Sequence, residues 1–323
     1  MTLLRYVAVR LLLSIPVILG ILLLNFFLIH LAPGDPAEIL AGEFASKEAI
    51  QAIRTRYGLD QPLAVQLVTY LRRVMRGDLG FSYDYNQPVA AVVASRFPAT
   101  ILLLLSSQAL GILLGITLGT LTAWAYGSRL DTMVSGAAAV AYSLPVFWLG
   151  LMMILVFGIW LRWLPTSGMT SILGPEEGAG YWVDVARHLA MPATSLALVW
   201  VAPVVLRITR AGVVEVLGEQ FTMTARAKGL SEERVLFRHV LRNAMLPNLT
   251  IIGLNLSLAV SGSILTETVF GWPGMGRLMY EAMFKRDYPV IMGVFLITAV
   301  TVVLGTLVVD LLYRLFDPRI ELR

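Results

Sequence analysis

LLLSIPVILGILLLNFFLIHL, residues 11–31, runs its whole length without a charged side chain. About 20 apolar residues of helix cross the hydrocarbon core of a bilayer. Only a helix or a closed barrel can do so, because lipid cannot satisfy backbone N–H and C=O groups. The stretch, preceded by Arg5 and Arg10, therefore predicts a membrane-spanning helix. The alternative is a cleaved secretory leader, whose apolar part would be shorter and followed by a small-residue cleavage site; no convincing one is present.

Comparable runs recur at about 99–126, 133–161, 192–206, 249–269 and 290–312, so the expectation is an all-α polytopic membrane protein of about six transmembrane helices. Composition agrees. Of 323 residues, 57% are hydrophobic and 14% charged, and the mean hydropathy is +0.76. A water-soluble domain runs nearer 25% charged. No cysteine is present, which excludes disulfides, thiolate zinc sites and iron–sulfur ligation within the chain.

The second run opens at Pro98 and carries Gly111, Gly115 and Gly119 at spacing four, a small-residue face of the kind that lets membrane helices approach closely. Pro145 in the third run and Pro203 in the fourth are read either as bends lining a path or as ordinary helix shaping. Polar residues within the runs are few: Asn25, Gln108, Asn255 and Glu267, with Asp310 near a run's end. Such residues face a bundle interior or a water path. They form no row of acids or arginines, so ion-selective rings and proton relays lack support.

Six spans put both termini on one side. Thirteen lysines and arginines fall on that side and twelve on the other, but seven of the twelve lie between residues 32 and 97. Long loops translocate largely regardless of charge. With that segment set aside the bias places both termini in the cytoplasm. The 32–97 segment is itself helical in pattern. Ser46 is placed to cap a helix that Gly58 ends, and a second helix runs from Pro62 to Arg76 with Leu63, Leu67, Tyr70, Leu71 and Val74 on one face.

Catalytic patterns are missing. No lysine stands in a glycine–lysine–serine/threonine context, so no P-loop holds ATP phosphates. His30, His188 and His239 are isolated, without metal-ligand spacing. Nothing pairs aspartates or a serine and histidine within the spans. The segment from Arg207 to Pro247 is too long for a simple connector. It reads as two short helices around Gly229, with Ser231 as a cap, Glu232 and Glu233 in the next first turn, and Arg234, Arg238 and Arg242 on one stripe. Physics alone leaves two readings, a knob that enters a cleft on another protein or a basic hairpin resting on lipid.

The run Thr224-Ala-Arg-Ala-Lys-Gly-Leu-Ser-Glu-Glu-Arg234, with Arg238-His-Val-Leu-Arg-Asn-Ala-Met-Leu-Pro247 after it, resembles the cytoplasmic loop of permeases in binding-protein-dependent ABC importers. The dipeptide/oligopeptide/nickel subfamily, in its B-type permease, is the one it looks like. Pro33-Gly-Asp-Pro36, Tyr57-Gly-Leu-Asp-Gln-Pro62, Gly77-Asp-Leu-Gly80, Phe97-Pro-Ala-Thr100, Leu144-Pro-Val-Phe-Trp-Leu-Gly150, Trp163-Leu-Pro165, Glu267-Thr-Val-Phe-Gly-Trp-Pro-Gly-Met-Gly-Arg277, Arg286-Asp-Tyr-Pro289 and Asp317-Pro-Arg319 extend the resemblance over nearly the whole chain. Where the broader loop begins glutamate–alanine–alanine, this chain has Met223, Thr224 and Ala225, so a glutamate contact is not carried over.

The resemblance implies an ABC type I importer permease fold with a helical extracytoplasmic segment. It divides the chain into residues 1–98, a permease core at 99–316 with a coupling loop at 207–247, and a tail at 317–323. It implies location in a bacterial cytoplasmic membrane among lipid, and no nucleic acid. The implied partners are a second, homologous permease, two ATPase subunits that use ATP and Mg, and an extracytoplasmic solute-binding protein. It also implies that Thr224, Ala225, Arg226, Ala227, Lys228, Gly229 and Leu230 form the elbow that meets an ATPase. The chain is then not an enzyme, and it binds no cofactor or metal. Peptide is the default substrate, with nickel chelates or glutathione as alternatives. A self-sufficient channel or secondary carrier is the rival class, and it would call for intramembrane charge clusters or inverted repeats; neither is evident.

Overall fold

Helix α5 (Val89–Trp124) is the spine. At 1.5 Å per residue its 36 residues span roughly 54 Å, more than a bilayer core needs. The computed structural model describes residues 3–31, 35–41, 45–82, 84–175, 177–245, 247–248 and 264–316. Around the spine run α1 (Leu3–Leu31), α2 (Pro36–Ala41), α3 (Lys47–Tyr57), α4 (Leu63–Met75), the strands β1 (Phe81–Ser82) and β2 (Gln87–Pro88), α6 (Arg129–Ser143), α7 (Val146–Met153), α8 (Gly178–Leu196), α9 (Ala202–Leu217), α10 (Gln220–Ala227), α11 (Glu232–Val235), α12 (Leu241–Ala244), α13 (Ile264–Val269), α14 (Met275–Lys285) and α15 (Tyr288–Phe316).

Among the described residues, four stretches are long and apolar enough to cross a membrane: Arg5–Leu28, Val89–Trp124, Gly178–Leu217 and Tyr288–Val308. A fifth is added if the bent pair α6 and α7 counts as one span. Of the expected span at 249–269, only α13 lies within the described residues. Three expectations need correction. The second span does not open at Pro98: Pro88, whose fixed φ suits a helix entry, starts the helix, and Pro98 is accommodated inside it. The third is not one kinked helix; it breaks at Leu144–Pro145, and its halves are inclined by 103°. The fourth is not a short span from Pro192 to Leu206. It is a 40-residue helix from Gly178 to Leu217. Pro203 cannot donate to the carbonyl of Val199, and the turn ahead of it, Ala197–Val201, widens to π geometry.

Three buried clusters are strung along α5. Near its start, Val89, Val92 and Val93 meet Met275, Leu278 and Ala282 of α14 and Val290 and Val294 of α15. Midway, Ala99 and Leu103 pack with Val146, Val185, Ala193, Leu196 and Trp272. At its end, Ala123 meets Val213 of α9 and Val235, Leu236, Val240 and Ala244 of the 232–244 segment. Helix α1 lies against α15, where the amide of Asn25 donates to the Met292 carbonyl at 3.2 Å.

At the end of the molecule where α5 begins, β1 and β2 form a two-residue antiparallel hairpin, Phe81 opposite Pro88 and Ser82 opposite Gln87. It is fastened to the α14–α15 corner. The Ser82 hydroxyl donates to Asp287, the Tyr85 hydroxyl to Glu281 at 3.0 Å, and Lys285 pairs with Asp84 at 2.7 Å. Ser46 does cap α3, accepting from the N–H of Ala49, and Gly58 ends it at φ +63°. On α4 the expected face is half-buried at Leu67, Tyr70, Leu71 and Val74 and departs from expectation at its first residue. Leu63 is exposed, and the residue α4 buries is Gln66. Its amide donates to the carbonyls of Leu59 and Gln61, and its oxygen meets Nε2 of His30 at 2.9 Å, tying α4 to the end of α1.

Candidate functional site

The elbow is built by two glycines. Helix α9 stops at Leu217, and Gly218 turns the chain into α10. That helix ends at Ala227, and Gly229, two residues on, turns the chain away with a φ of +79°, the left-handed conformation that a side chain disfavours. Ser231 occupies the cap position of α11 with extended backbone, but its side chain makes no capping bond. Instead the two arms are joined across the bend. The Arg226 guanidinium grips the Glu232 carboxylate with bonds of 2.9 and 3.1 Å, both residues being well exposed. An ion pair this exposed contributes about 0–1 kcal/mol.

The inner side of the elbow is anchored. Ala225 belongs to the cluster around Ala123 and Val213, Leu230 packs at its margin, and Thr222 is buried with its hydroxyl donating to the Val216 carbonyl at 2.7 Å. The outer side is open: Thr224, Arg226, Ala227, Lys228 and Gly229 are exposed, as are Phe221 and Met223. The elbow is thus a knob whose base is welded to the ends of α5 and α9.

Those two helices lie backbone to backbone. A Cβ on Gly111 would come within 2.4 Å of the Val201 Cβ, one on Gly115 within 2.6 Å of the Val205 Cβ, and one on Gly119 within 2.7 Å of the Leu206 carbonyl oxygen. All three glycines are buried.

Glu267 lies well away from the elbow, beside Thr100 of α5, fully buried in a latch between α5, α13 and α14. One carboxylate oxygen accepts from the Thr100 hydroxyl at 2.9 Å and the other from the Arg277 N–H at 2.9 Å. Thr100 in turn accepts from the N–H of Met275 at 2.7 Å. Trp272, also fully buried, donates its indole N–H to the Ala99 carbonyl at 2.8 Å. Gly274 lets the loop close over the carboxyl, since a Cβ there would lie 2.4 Å from the Glu267 carboxyl carbon. Glu267 is therefore held by the helix corner and not presented to an open lumen. Asn25 and Gln108 are buried, each with an oxygen that lacks a hydrogen-bond partner among the described residues. Asn255 lies outside the described residues. Among the described residues, Asn25, Gln108 and Glu267 are not brought together into one site.

Residues 111–322 match the family model of the binding-protein-dependent transport system inner membrane component, and residues 3–104 the model of the N-terminal part of such membrane components. The chain belongs to this family. The dipeptide transport system permease protein DppB of Escherichia coli (strain K12) is 40% identical over 98% of this permease and 99% of its own length. The oligopeptide transport system permease protein AppB of Bacillus subtilis (strain 168) is 39% identical over the same shares. The di/tripeptide transport system permease protein DppB of Pseudomonas aeruginosa (strain UCBPP-PA14) is 40% identical, again over 98% and 99%. Among solved structures, a chain of the inward-facing MetNI methionine ABC transporter superposes with a TM-score of 0.56 at 17% identity, over 70% of this permease and 96% of that chain. That likeness is one of fold.

Sequence reasoning missed one bridge in the permease. Asp131, near the start of α6 and 4% exposed, accepts two bonds from Arg210 of α9 at 2.6 and 2.7 Å, and a third from the N–H of Gly127 at 3.0 Å. Arg210 also stacks over Tyr126, 5.0 Å from the ring centroid. The available signal was a lone acid and a lone base, each at the edge of an apolar run, where an unpaired charge is costly.

Proposed function

We propose that this permease forms half of the translocation path of an ATP-driven importer of small peptides. The observation that carries the reading is identity near 40% over essentially full length with permeases named for dipeptides, di/tripeptides and oligopeptides in three bacteria. Nickel chelates and glutathione have no comparable support. A second permease completes the path, a solute-binding protein delivers the peptide, and two ATPase subunits supply the energy, since the sequence has no P-loop of its own.

Thr224, Ala225, Arg226, Ala227, Lys228, Gly229 and Leu230 are the part that an ATPase grips. Closure of the ATPases pushes the knob, and the welded ends of α5 and α9 carry the push into the spans. What supports this is the pairing of an exposed outer face with a buried base. The elbow faces the cytoplasm, as both termini do. The β1–β2 hairpin and the α14–α15 corner then face the opposite side, toward the binding protein.

Purification of the intact complex, with mass spectrometry of the ligand retained on its binding protein, tests the substrate. Peptides are expected; a nickel chelate or glutathione would overturn that part. Solute flux through the purified chain alone would overturn the subunit reading. Sidedness is open to labelling, because the native sequence has no cysteine. A cysteine at the exposed Lys228 should react with an impermeant maleimide only from the cytoplasmic side, and one at the fully exposed Ile172 only from outside.

A further inference from the structure

Beside the elbow lies a groove of about 480 Å³ between the last turns of α5 and the 232–244 arm, walled by Thr117, Thr120, Leu121, Trp124, Phe237 and Leu241. We propose that it binds an anionic phospholipid, with an acyl chain in the groove and the headgroup phosphate on the neighbouring arginines. The inference rests on the reading of the chain as a membrane permease, and it adds a specific ligand to that reading.

Three observations point to lipid. Leu113, Thr117 and Leu121, an exposed row at spacing four on α5, form a ridge whose last two residues wall the groove, so the groove opens onto helix surface that faces outward. Trp124, half exposed, stands where the ridge ends, and indole rings favour the headgroup level of a bilayer. On the adjoining stripe of the arm, Arg234, Arg238 and Arg242 are exposed and have no acidic partner among the described residues. Glu233 is the acid that lines the groove, which leaves the rim basic.

The groove also holds an unsatisfied group. Thr120 is only 8% exposed, and its hydroxyl has no hydrogen-bond partner among the described residues. A glycerol-ester oxygen entering above the chain would supply one. Because the arm also carries the elbow, occupancy would brace the elbow from the membrane side. Anionic lipid then becomes a determinant of coupling, in addition to solvating the spans.

The permease, purified with its native partners, is placed in nanodiscs of phosphatidylcholine containing brominated phosphatidylglycerol or brominated phosphatidylcholine. The readout is quenching of the fluorescence component that Trp124→Phe removes. Phosphatidylglycerol is expected to quench it several-fold more strongly. A basic residue near a membrane surface adds roughly a fivefold preference for anionic lipid. Arg234→Gln, Arg238→Gln and Arg242→Gln together should therefore abolish the excess. Equal quenching by both lipids would overturn the proposal, as would an excess that survives the triple replacement. Quenching that appears only after the ATPases are stripped away would overturn it in favour of a protein occupant. Peptide uptake is measured on the same complex sealed into proteoliposomes of the same lipids. A lipid preference without uptake would refute the transport reading and leave the lipid site standing.

Discussion

Gly115 illustrates how much a single missing Cβ decides. An added side chain would strike Val205 of α9, whereas Gly136 of α6 has nothing within 4 Å. Gly115→Leu should lower the unfolding midpoint in detergent by an amount equivalent to about 1–3 kcal/mol, the usual range for overpacking. Gly136→Leu, the control, should change it little. Equal effects would mean that the close approach of α5 and α9 is unimportant. A second residue-level expectation concerns acidity at the hairpin corner. Burial pushes the Asp287 carboxyl above its ordinary value, against the hydrogen bonds from Ser82 and the Val290 N–H. The folded state thus holds this proton more tightly than the unfolded one. Its contribution to stability is complete below the ordinary aspartate range and is lost as pH rises through the raised value. Melts from pH 4 upward should show that decline, and Asp287→Asn, uncharged throughout, should remove it. Glu281, close by, behaves oppositely. Burial works against its charge, but the bonds from Tyr85 and Arg277 prevail and hold it below the usual range. Its contribution therefore disappears on acidification through the lowered value.

Between elements, the Asp131–Arg210 bridge locks α6 to α9. Removing one partner leaves the other charge without its counter-ion, and the partial exposure of Arg210 moderates the cost. Asp131→Ala and Arg210→Ala should each lower thermal stability, and the exchange Asp131→Arg with Arg210→Asp should recover part of the loss. No recovery would show that the pair's particular geometry, with Gly127 and Tyr126, matters more than its charge. This bridge also marks where the sequence is mute. Apolar runs disclose which helices cross the membrane, because lipid demands length and the absence of charge. Glycine at 229, the cap at Ser46 and the stop at Gly58 are local signals, and local signals are legible. The 103° break at Leu144–Pro145 is not, since a proline reads the same in a gentle kink as in a corner. Nor is Gln66, a polar residue buried because carbonyls from its own loop and His30 converge on it. Thr100 and Glu267 are 167 positions apart, and each stands in a recognisable motif. Only the fold discloses that one holds the other.

Across the whole molecule, the elbow at the end of α5 and the Glu267 latch around Thr100 are joined by that helix. Gly229→Val should fold, because open space surrounds that position. The left-handed backbone nevertheless costs a substituted residue roughly 1–2 kcal/mol, and the new side chain would stand on the outer face of the knob. In proteoliposomes carrying the full importer, the number of peptides moved per ATP should fall sharply while the subunits still co-purify. An unchanged ratio would remove Gly229 from the coupling path.

The glycine seam between α5 and α9 has a mechanical consequence. Two helices in backbone contact over more than two turns cannot shear or splay without a steric clash, so they act as one strut. Any flexure that accompanies transport must then be taken up elsewhere, as at the corner before Pro145. The stiffness of the seam thereby determines where this machine is allowed to bend.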